Sequence, residues 1–410
     1  MATISQGISK ITVVKKQTGI GVPASGSGGQ ILRREKSDNK LTRDSFANNE
    51  INSAQQGTGK TPGLRKVDAS VSAVLSPGTY STLLASVLRK DFTATTSLTA
   101  TGVTIATGAL VGGLQSYTLT IAAGSFLTNG FKILDVIRLT AGTLNAANIN
   151  KNLQIINLTA TVATVLPVNG AALVAEGPIA GCTIALPGKK SVPPITGHTR
   201  DYWTVEDWKS DIETSELYTD VVWGGADFNF SPTGNATLSF MGAGRDRSTG
   251  TAQILTTPTA ETTSNVMSAV NGILIVNGLP IGNVSGASVK IDGKAASMGA
   301  VVGSDITPDI QRGRIDVSGQ FTAFDQDAVL PTLFDDATPI NLSFVIADSQ
   351  AKDADFVAVS MSSIILEGDT ADDGEKGLIR TYPFTARMNP AGGAALASDK
   401  AICFIQDSLA

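Results

Sequence analysis

Histidine is almost missing from this chain of 410 residues. His198 is the only one, so a histidine-based metal cluster is excluded and a serine triad would depend on a single residue, which reads as a surface or boundary side chain. Cysteine is nearly as scarce. Cys182 and Cys403 stand far apart in sequence, which is neither a disulfide framework nor metal-ligand spacing, and both read as small buried side chains. Charged residues make up 16% and aromatics 5%, too little for long surface helices studded with charge. The formal net charge of -5 gives no global attraction to nucleic acid or acidic membranes, because phosphate binding needs clustered Lys and Arg. No apolar run reaches the roughly eighteen residues of a membrane span. The opening "MATISQGISKITVVKK" has no apolar stretch of signal-peptide length, so the chain is expected to be made in a cytoplasm.

What is plentiful is glycine, with 42 residues, and apolar side chains, at 42%. That balance favours strands and turns, and the length is too great for one ordinary core. A mainly β protein of more than one domain is expected.

An internal repeat organises the chain. "KVDASVSAVLSPGTYSTLLASVL" from Lys66 and "RIDVSGQFTAFDQDAVLPTLF" from Arg314 follow one plan. In the first, Val67, Ala69, Val71 and Ala73 alternate with Asp68, Ser70 and Ser72, as a strand with one buried face requires. In the second, Ile315, Val317, Gly319 and Phe321 alternate with Asp316, Ser318 and Gln320. Each strand leads into a helix-start signal, Ser76-Pro77 in one copy and Asp325/Asp327 ahead of Pro331 in the other. A short helix follows in both, with stripes Leu83, Leu84, Val87, Leu88 and Leu330, Leu333, Phe334. Both copies then end in paired strands, "TDVVWGGADFNFSPTGNATLSFMGAGR" and "FVAVSMSSIILEGDTADDGEKGLIRTYPFTAR".

These patterns divide the chain into a flexible arm (1–30), a first unit (31–92 plus 199–245), an inserted segment (93–198), a linker (246–286) and a second unit with a C-terminal tail (287–410). "GVPASGSGGQ" in the arm cannot order itself. A long polar loop is expected after "ILRREKS". The insertion carries as its only charges Lys132, Asp135, Arg138, Lys151, Glu176, Lys189 and Lys190, and its short Thr, Ala and Val runs predict a small separate β-barrel or sandwich, separable from the rest.

Motifs for chemistry fail on their flanks. "AQQGTGKT" from Ala54 satisfies a relaxed phosphate-loop pattern, but a polar stretch precedes it and a strand follows, whereas a phosphate loop lies between a buried strand and a helix. It reads as a solvated loop. "DTADDGEK" from Asp369 lacks a third-position calcium ligand at Ala371 and has Arg380 where the bidentate Glu belongs, so it reads as a hairpin turn. Trp203, Trp208 and Trp223 with Tyr202 read as core or subunit-interface packing rather than a stacking platform. No convergent acid, base and nucleophile emerges, so an enzyme is the weakest class and no cofactor is expected. A β-rich surface or adhesive protein binding a receptor or glycan is the alternative class; it would lack the paired strand–helix–strand units and would normally carry a secretion signal.

The order of features, a Gly-rich arm, "ILRREKS", a polar loop, "VDASVSAVLSPGTYSTLLASVL" and then "YWTVEDW" before more strands, resembles the tail tube proteins of long-tailed bacterial viruses, in the form with two tube domains. The resemblance covers residues 30–92 and 199–390. It implies a mainly β fold: two tandem tube-type β-sandwich units, each with one short flanking helix, their sheets joined around a ring, with the inserted β domain on the outer wall. It further implies stacked rings of three chains that conduct genomic DNA without binding it specifically, in a virion tail assembled in the bacterial cytoplasm. Implied partners are further copies of the chain and the tail terminator, tape-measure and distal tail proteins, with no membrane. Candidates for the loop between rings are Arg33, Arg34, Glu35, Lys40, Arg43 and Glu50; candidates for the channel lining are Asp68 and Asp316.

Overall fold

Both alternating stretches form the strands their pattern predicts. A computed structural model describes residues 4–51, 53–326, 328–372 and 377–410, with strands at Lys60–Val74 and Asp316–Phe324. Val67, Ala69, Val71 and Ala73 are all buried, while Asp68 is exposed and Ser70 and Ser72 are half-buried. Val317 and Phe321 are buried in the second copy, where Ser318 and Gln320 are exposed.

The helices follow as expected, but their caps do not. α1 (Ser81–Leu88) begins beyond Ser76-Pro77, because the Ser76 hydroxyl is engaged by Thr79 Oγ1 at 2.8 Å within the preceding turn. Tyr80 at the cap position makes no side-chain capping bond. α1 ends at Arg89, whose left-handed backbone (φ 59°) turns its N–H back onto the carbonyls of Ala85 and Ser86. α2 (Val329–Asp335) holds Pro331 in its first turn, where a missing N–H costs nothing. Asp325 does not cap it; that carboxylate accepts from Arg380 Nε at 2.8 Å. Asp327 lies outside the described residues, as does the tip of the turn expected after Asp369 (373–376).

The repeat is longer than the sequence pattern indicates. The first unit runs through strands Lys10–Lys16, Gln30–Ile31, Lys40–Ala47, Lys60–Val74, α1, Trp203–Lys209, Thr214–Phe230, Thr237–Gly244 and Asp246–Gly250. The second runs through Gly272–Val276, Leu279–Pro280, Val284–Asp292, Asp316–Phe324, α2, Ile340–Ala347, Phe356–Leu366, Ile379–Ala386 and Phe404–Asp407. The partners correspond: 10–16 pairs with 203–209 as 272–276 pairs with 340–347, and 214–230 with 246–250 as 356–366 with 404–407. Residues 1–30 are therefore more than a flexible arm, since Lys10–Lys16 is the first unit's opening strand. Residues 246–286 are more than a linker, since they close the first unit and open the second. Neither strand alternates cleanly. Thr12, Val13 and Val14 are buried in succession, and "GILIV" is a continuous apolar run.

One strand in each unit belongs to two sheets. Within Thr214–Phe230, Ser215–Thr219 pair with Asp246–Gly250, and Trp203–Lys209 lies along the same half; from Val222 onward the partner is Thr237–Ala243. The register shifts between Trp223 and Gly225, and a Cβ at Gly224 would meet the Ala295 Cβ at 2.4 Å, so the crossing needs glycine there. The two sheets enclose one apolar core that runs through both units, including Leu83, Leu84, Trp223, Phe228 and Phe240 from the first and Phe321, Phe344, Tyr382 and Phe384 from the second.

The insertion does form a small barrel. An 8-stranded order runs 176–179, 103–111, 114–120, 162–167, 153–158, 136–140, 182–185, 97–100. Its first and last ladders are halves of one antiparallel pair, Ala185 opposite Ser97 through Glu176 opposite Ile105, broken around Gly102 and Gly181 and shifted in register between Glu176 and Ile179, so the sheet closes around its own core. It is not free of the second unit. Val136 and Val168 pack on Val345, Ala347, Phe356 and Ala358. Buried amides add to the contact: Gln154 Nε2 donates to Ser343 Oγ at 2.7 Å, and Gln406 both donates to and accepts from the Val136 backbone at 2.9 and 3.0 Å. Lys132 Nζ donates to the carbonyls of Gly393, Ala394 and Leu396, and Lys190, paired with Asp135 at 2.6 Å inside the insertion, lies over the Phe404 ring of the second unit. The expectation of a separable module is corrected by this interface, in which most of the polar groups that leave water have a partner, the Oε1 of Gln154 being an exception.

Candidate functional surface

Eight consecutive strand segments form one sheet across both units, in the order 40–47, 60–74, 237–244, 222–230, 284–292, 316–324, 379–386 and 364–366. The face turned away from the core is set by period-two alternation. Asp68 stands opposite Ala243, Ser70 opposite Met241 and Ser72 opposite Ser239; further along, Asp227 faces Lys290, which faces Ser318, and Asp292 faces Asp316. Asp68 and Asp316 thus lie on the same face of the same sheet. Asp68 is exposed and Asp316 half-buried.

Charge on this face is mixed and mostly compensated. Asp68 lies 3.8 Å from Lys40. Asp316 takes a hydrogen bond from Lys294 and another from Arg314 at 2.8 Å, and the Lys294 contact holds its carboxyl below the usual range. Asp227 is pushed the other way, because partial burial outweighs the attraction of Lys290. Ser, Thr, Asn and Gln side chains fill most remaining positions.

At one end of the sheet, residues 40–66 project as a twisted ribbon in place of the long polar loop expected there. Lys40 faces Asp68 and Ala47 faces Lys60, and residues 42–51 are exposed without interruption, Phe46 among them. The ladder runs backbone to backbone, with Thr42 opposite Lys66 and Arg43 opposite Arg65, and in the stretches 42–47 and 60–63 neither side presents an apolar stripe. Of the candidate loop residues, Lys40, Arg43 and Glu50 lie on this ribbon, and Glu50 is held to Asn48 by bonds in both directions. Arg33 and Arg34 do not. Arg33 donates to Ser264 O at 2.7 Å and Arg34 to Lys10 O, so both tie the chain to its own unit, while Glu35 is exposed beside the sheet. The stretch at Ala54–Lys60 is the exposed end of the ribbon, with no helix after it.

The corresponding loop of the second unit, 293–313, docks against the ribbon's base. Asp305 accepts from both Arg43 and Arg65, and the Arg65 bond lowers its carboxyl; Arg65 also meets Asp246 at 2.9 Å. No motif marks Arg65, Asp246 and Asp305, whose sequence separations give no periodic signal. His198 is exposed, Trp203 and Trp223 are buried, and burial pushes the thiols of Cys182 and Cys403 up to about 11 and about 12.

The family model described as phage tail tube protein matches residues 9–386, which takes in the first unit, the barrel and the second unit up to its closing strand Phe404–Asp407. The chain belongs to the phage tail tube protein family. As a tail tube protein it is a structural component of the virion tail. No curated protein matches the sequence. Among the described residues no helix is long and apolar enough to cross a membrane.

Proposed function

We propose that the chain polymerises into stacked rings of three copies, each copy supplying two adjacent wall segments, and that the polar sheet face lines a channel through which DNA passes. The observation that carries this reading is the ladder between 225–230 and 287–292, which joins two alike units edge to edge and, among the described residues, leaves an edge without a strand partner at either end of the shared sheet. An open edge presents unpaired backbone groups, and a closed ring removes them.

Layer order supports the placement of each part. On Ile340–Ala347, Leu342, Phe344 and Ile346 enter the shared core while Val345 and Ala347 meet the barrel. The barrel therefore sits beyond the second sheet, on the side opposite the polar face, and belongs to the outer wall. The exposed ribbon 40–66 reaches the next ring. A lining of Asp68, Asp316 and neutral polar groups, with few bases, lets phosphate slide, since each added Lys–phosphate contact strengthens binding. The tail terminator, tape-measure and distal tail proteins would meet the ends and bore of such a tube, and its assembly would take place in the host cytoplasm. Negative-stain microscopy of the concentrated protein, with ring mass by native mass spectrometry, tests the reading. Hollow tubes built from three-chain rings, with three outer projections per ring, are expected; a six-chain ring would remove the pseudo-sixfold arrangement, and persistent monomers would remove the polymer.

A further inference from the structure

The ladder inside the chain specifies, residue by residue, the ladder between chains. Gly225 stands opposite Asp292, Asp227 opposite Lys290 and Phe230 opposite Ala287. On one side, Lys40 faces Asp68 as Asp292 faces Asp316, and Lys36 faces Ser72 as Ser288 faces Gln320. Since 66–70 and 314–318 are the same positions of the repeat, 36–40 corresponds to 288–292. On the other side, Gly225 faces Met241, which faces Ser70; Ile365 faces Thr385, which faces Ser318. Hence Ile365 corresponds to Gly225, and Glu367 to Asp227.

We propose that residues 365–370 of one copy pair antiparallel with residues 35–40 of a second copy, with Ile365 opposite Lys40, Glu367 opposite Asp38 and Asp369 opposite Lys36 of that copy. The proposal rests on the ring reading above and fixes its register. Among the described residues neither edge has a strand partner on its outer side, and Lys36, Asp38, Lys40 and Glu367 are exposed. The edge at 365–370 carries two acids and no base, and Lys36 and Lys40 flank Asp38 on the facing edge.

Apolar surface beside the free edge is uncovered in the same way. At the internal junction Met267 is fully buried, bridging Leu75 O and the Ala236 N–H, on the segment that leads through a turn (Ala269–Asn271) into strand Gly272–Val276. At the free end the positions corresponding to Leu75 and its neighbours lead into exposed Phe324, Val329 and Leu378 around α2. The counterpart of the covering segment precedes strand Lys10–Lys16 in the second copy. It also contains a short turn (Gly7–Ser9), and it carries Ile4 at 85% and Ile8 at 90% exposure.

Cysteine pairs test the register, since Cys182 and Cys403 are buried. Glu367→Cys with Asp38→Cys should oxidise to covalent dimers and trimers on denaturing gels. Glu367→Cys with Ser37→Cys, one residue out and on the opposite face, should not, nor should Glu367→Cys with Thr42→Cys. Asp38→Lys, which reproduces the Asp227–Lys290 pair across the joint, should lower the concentration needed for assembly several-fold. Tubes that cross-link through Ser37→Cys or Thr42→Cys instead, or through none of these, overturn the register while leaving the ring reading intact. Absence of any ring or tube in the unsubstituted protein overturns both.

Discussion

α1 and α2 hold equivalent places in the two units, yet six of the eight residues of α1 are buried and only Leu330 of α2 is. The sequences differ little in apolar content, so the contrast comes from what surrounds each helix. α1 sits at the joint inside the chain. Arg89 at its end donates to the carbonyls of Gly293 and Gly313 at the start of the second unit, and the crossing segment with Met267 closes over the turn before it. α2 sits at the end of the sheet, where the corresponding neighbours are absent from the chain. On the ring reading proposed above, this exposure marks the place of a neighbouring copy rather than a weaker helix.

The largest break in this comparison should come from removing the barrel. The second unit's outer sheet face carries Val345, Ala347, Phe356 and Ala358, whereas the first unit's outer strand presents Thr204 and Glu206, the latter accepting from the N–H groups of Ile254 and Leu255 at 2.7 Å. Joining Phe92 to Thr199 strips the apolar face, leaves the Gln406 side chain without the Val136 and Pro187 backbone groups it bonds, and leaves Ser343 with Ser360 alone. Loss of soluble protein is expected; a soluble, cooperatively unfolding deletion variant would show that the barrel only rests on that face.

Next come the helices themselves. Leu84→Ala should cost about 2–5 kcal/mol in denaturant unfolding of the dispersed chain, because Leu84 is fully enclosed. Leu333→Ala, at a half-buried site, should cost about 1 kcal/mol. The gap should narrow in the assembled state, where α2 gains a cover. Equal costs in the dispersed chain would remove the contrast.

A pH effect separates two other equivalent positions. Asp407 is opposite Val357 as Ser248 is opposite Leu217. Burial raises the Asp407 carboxyl to about 6, opposed by hydrogen bonds from the Leu409 and Gly78 backbone. The folded state then holds this proton more tightly than the unfolded chain, so stability falls as pH rises from about 4 to about 6, by on the order of 3 kcal/mol. Thermal unfolding of Asp407→Asn across pH 4–8 should lack that slope. A slope unchanged by the substitution assigns it to other groups.

The smallest effect on the chain should follow from replacing residues 48–59 by a two-residue Asn-Gly turn. The ribbon tip is solvated, so unfolding should shift by less than about 0.5 kcal/mol. Long tubes should give way to short stacks or single rings in micrographs. Tubes of normal length would move ring stacking elsewhere.

How far the sequence carries depends on the environment each strand meets. Val67 to Ala73 has one wet face and one dry face, so its alternation is visible without coordinates. Thr12 to Val14 and Gly272 to Val276 are dry or polar-bonded on both faces, and their strand identity was hidden inside an arm and a linker. The barrel was legible from its loss of charge, but its docking was not, because Gln154, Gln406 and Lys132 are individually ordinary polar residues whose partners lie more than 180 residues away. Asp68 and Asp316 could be given a common face by repetition alone. Arg33 and Arg34 are close in sequence to the ribbon, but the backbone turns between Arg34 and Lys40 and leaves them on the body.

The strand that crosses at Gly224, and its counterpart Phe356–Leu366, also have a mechanical meaning. In most sandwiches the two sheets are held together by side-chain packing and can slide when pulled. Here a covalent backbone threads from one sheet to the other in both units, so in the proposed tube a force applied at the outer wall would reach the channel wall along peptide bonds. A tube made this way resists delamination even where its apolar core is strained, and bending must be taken up between rings instead of within the wall.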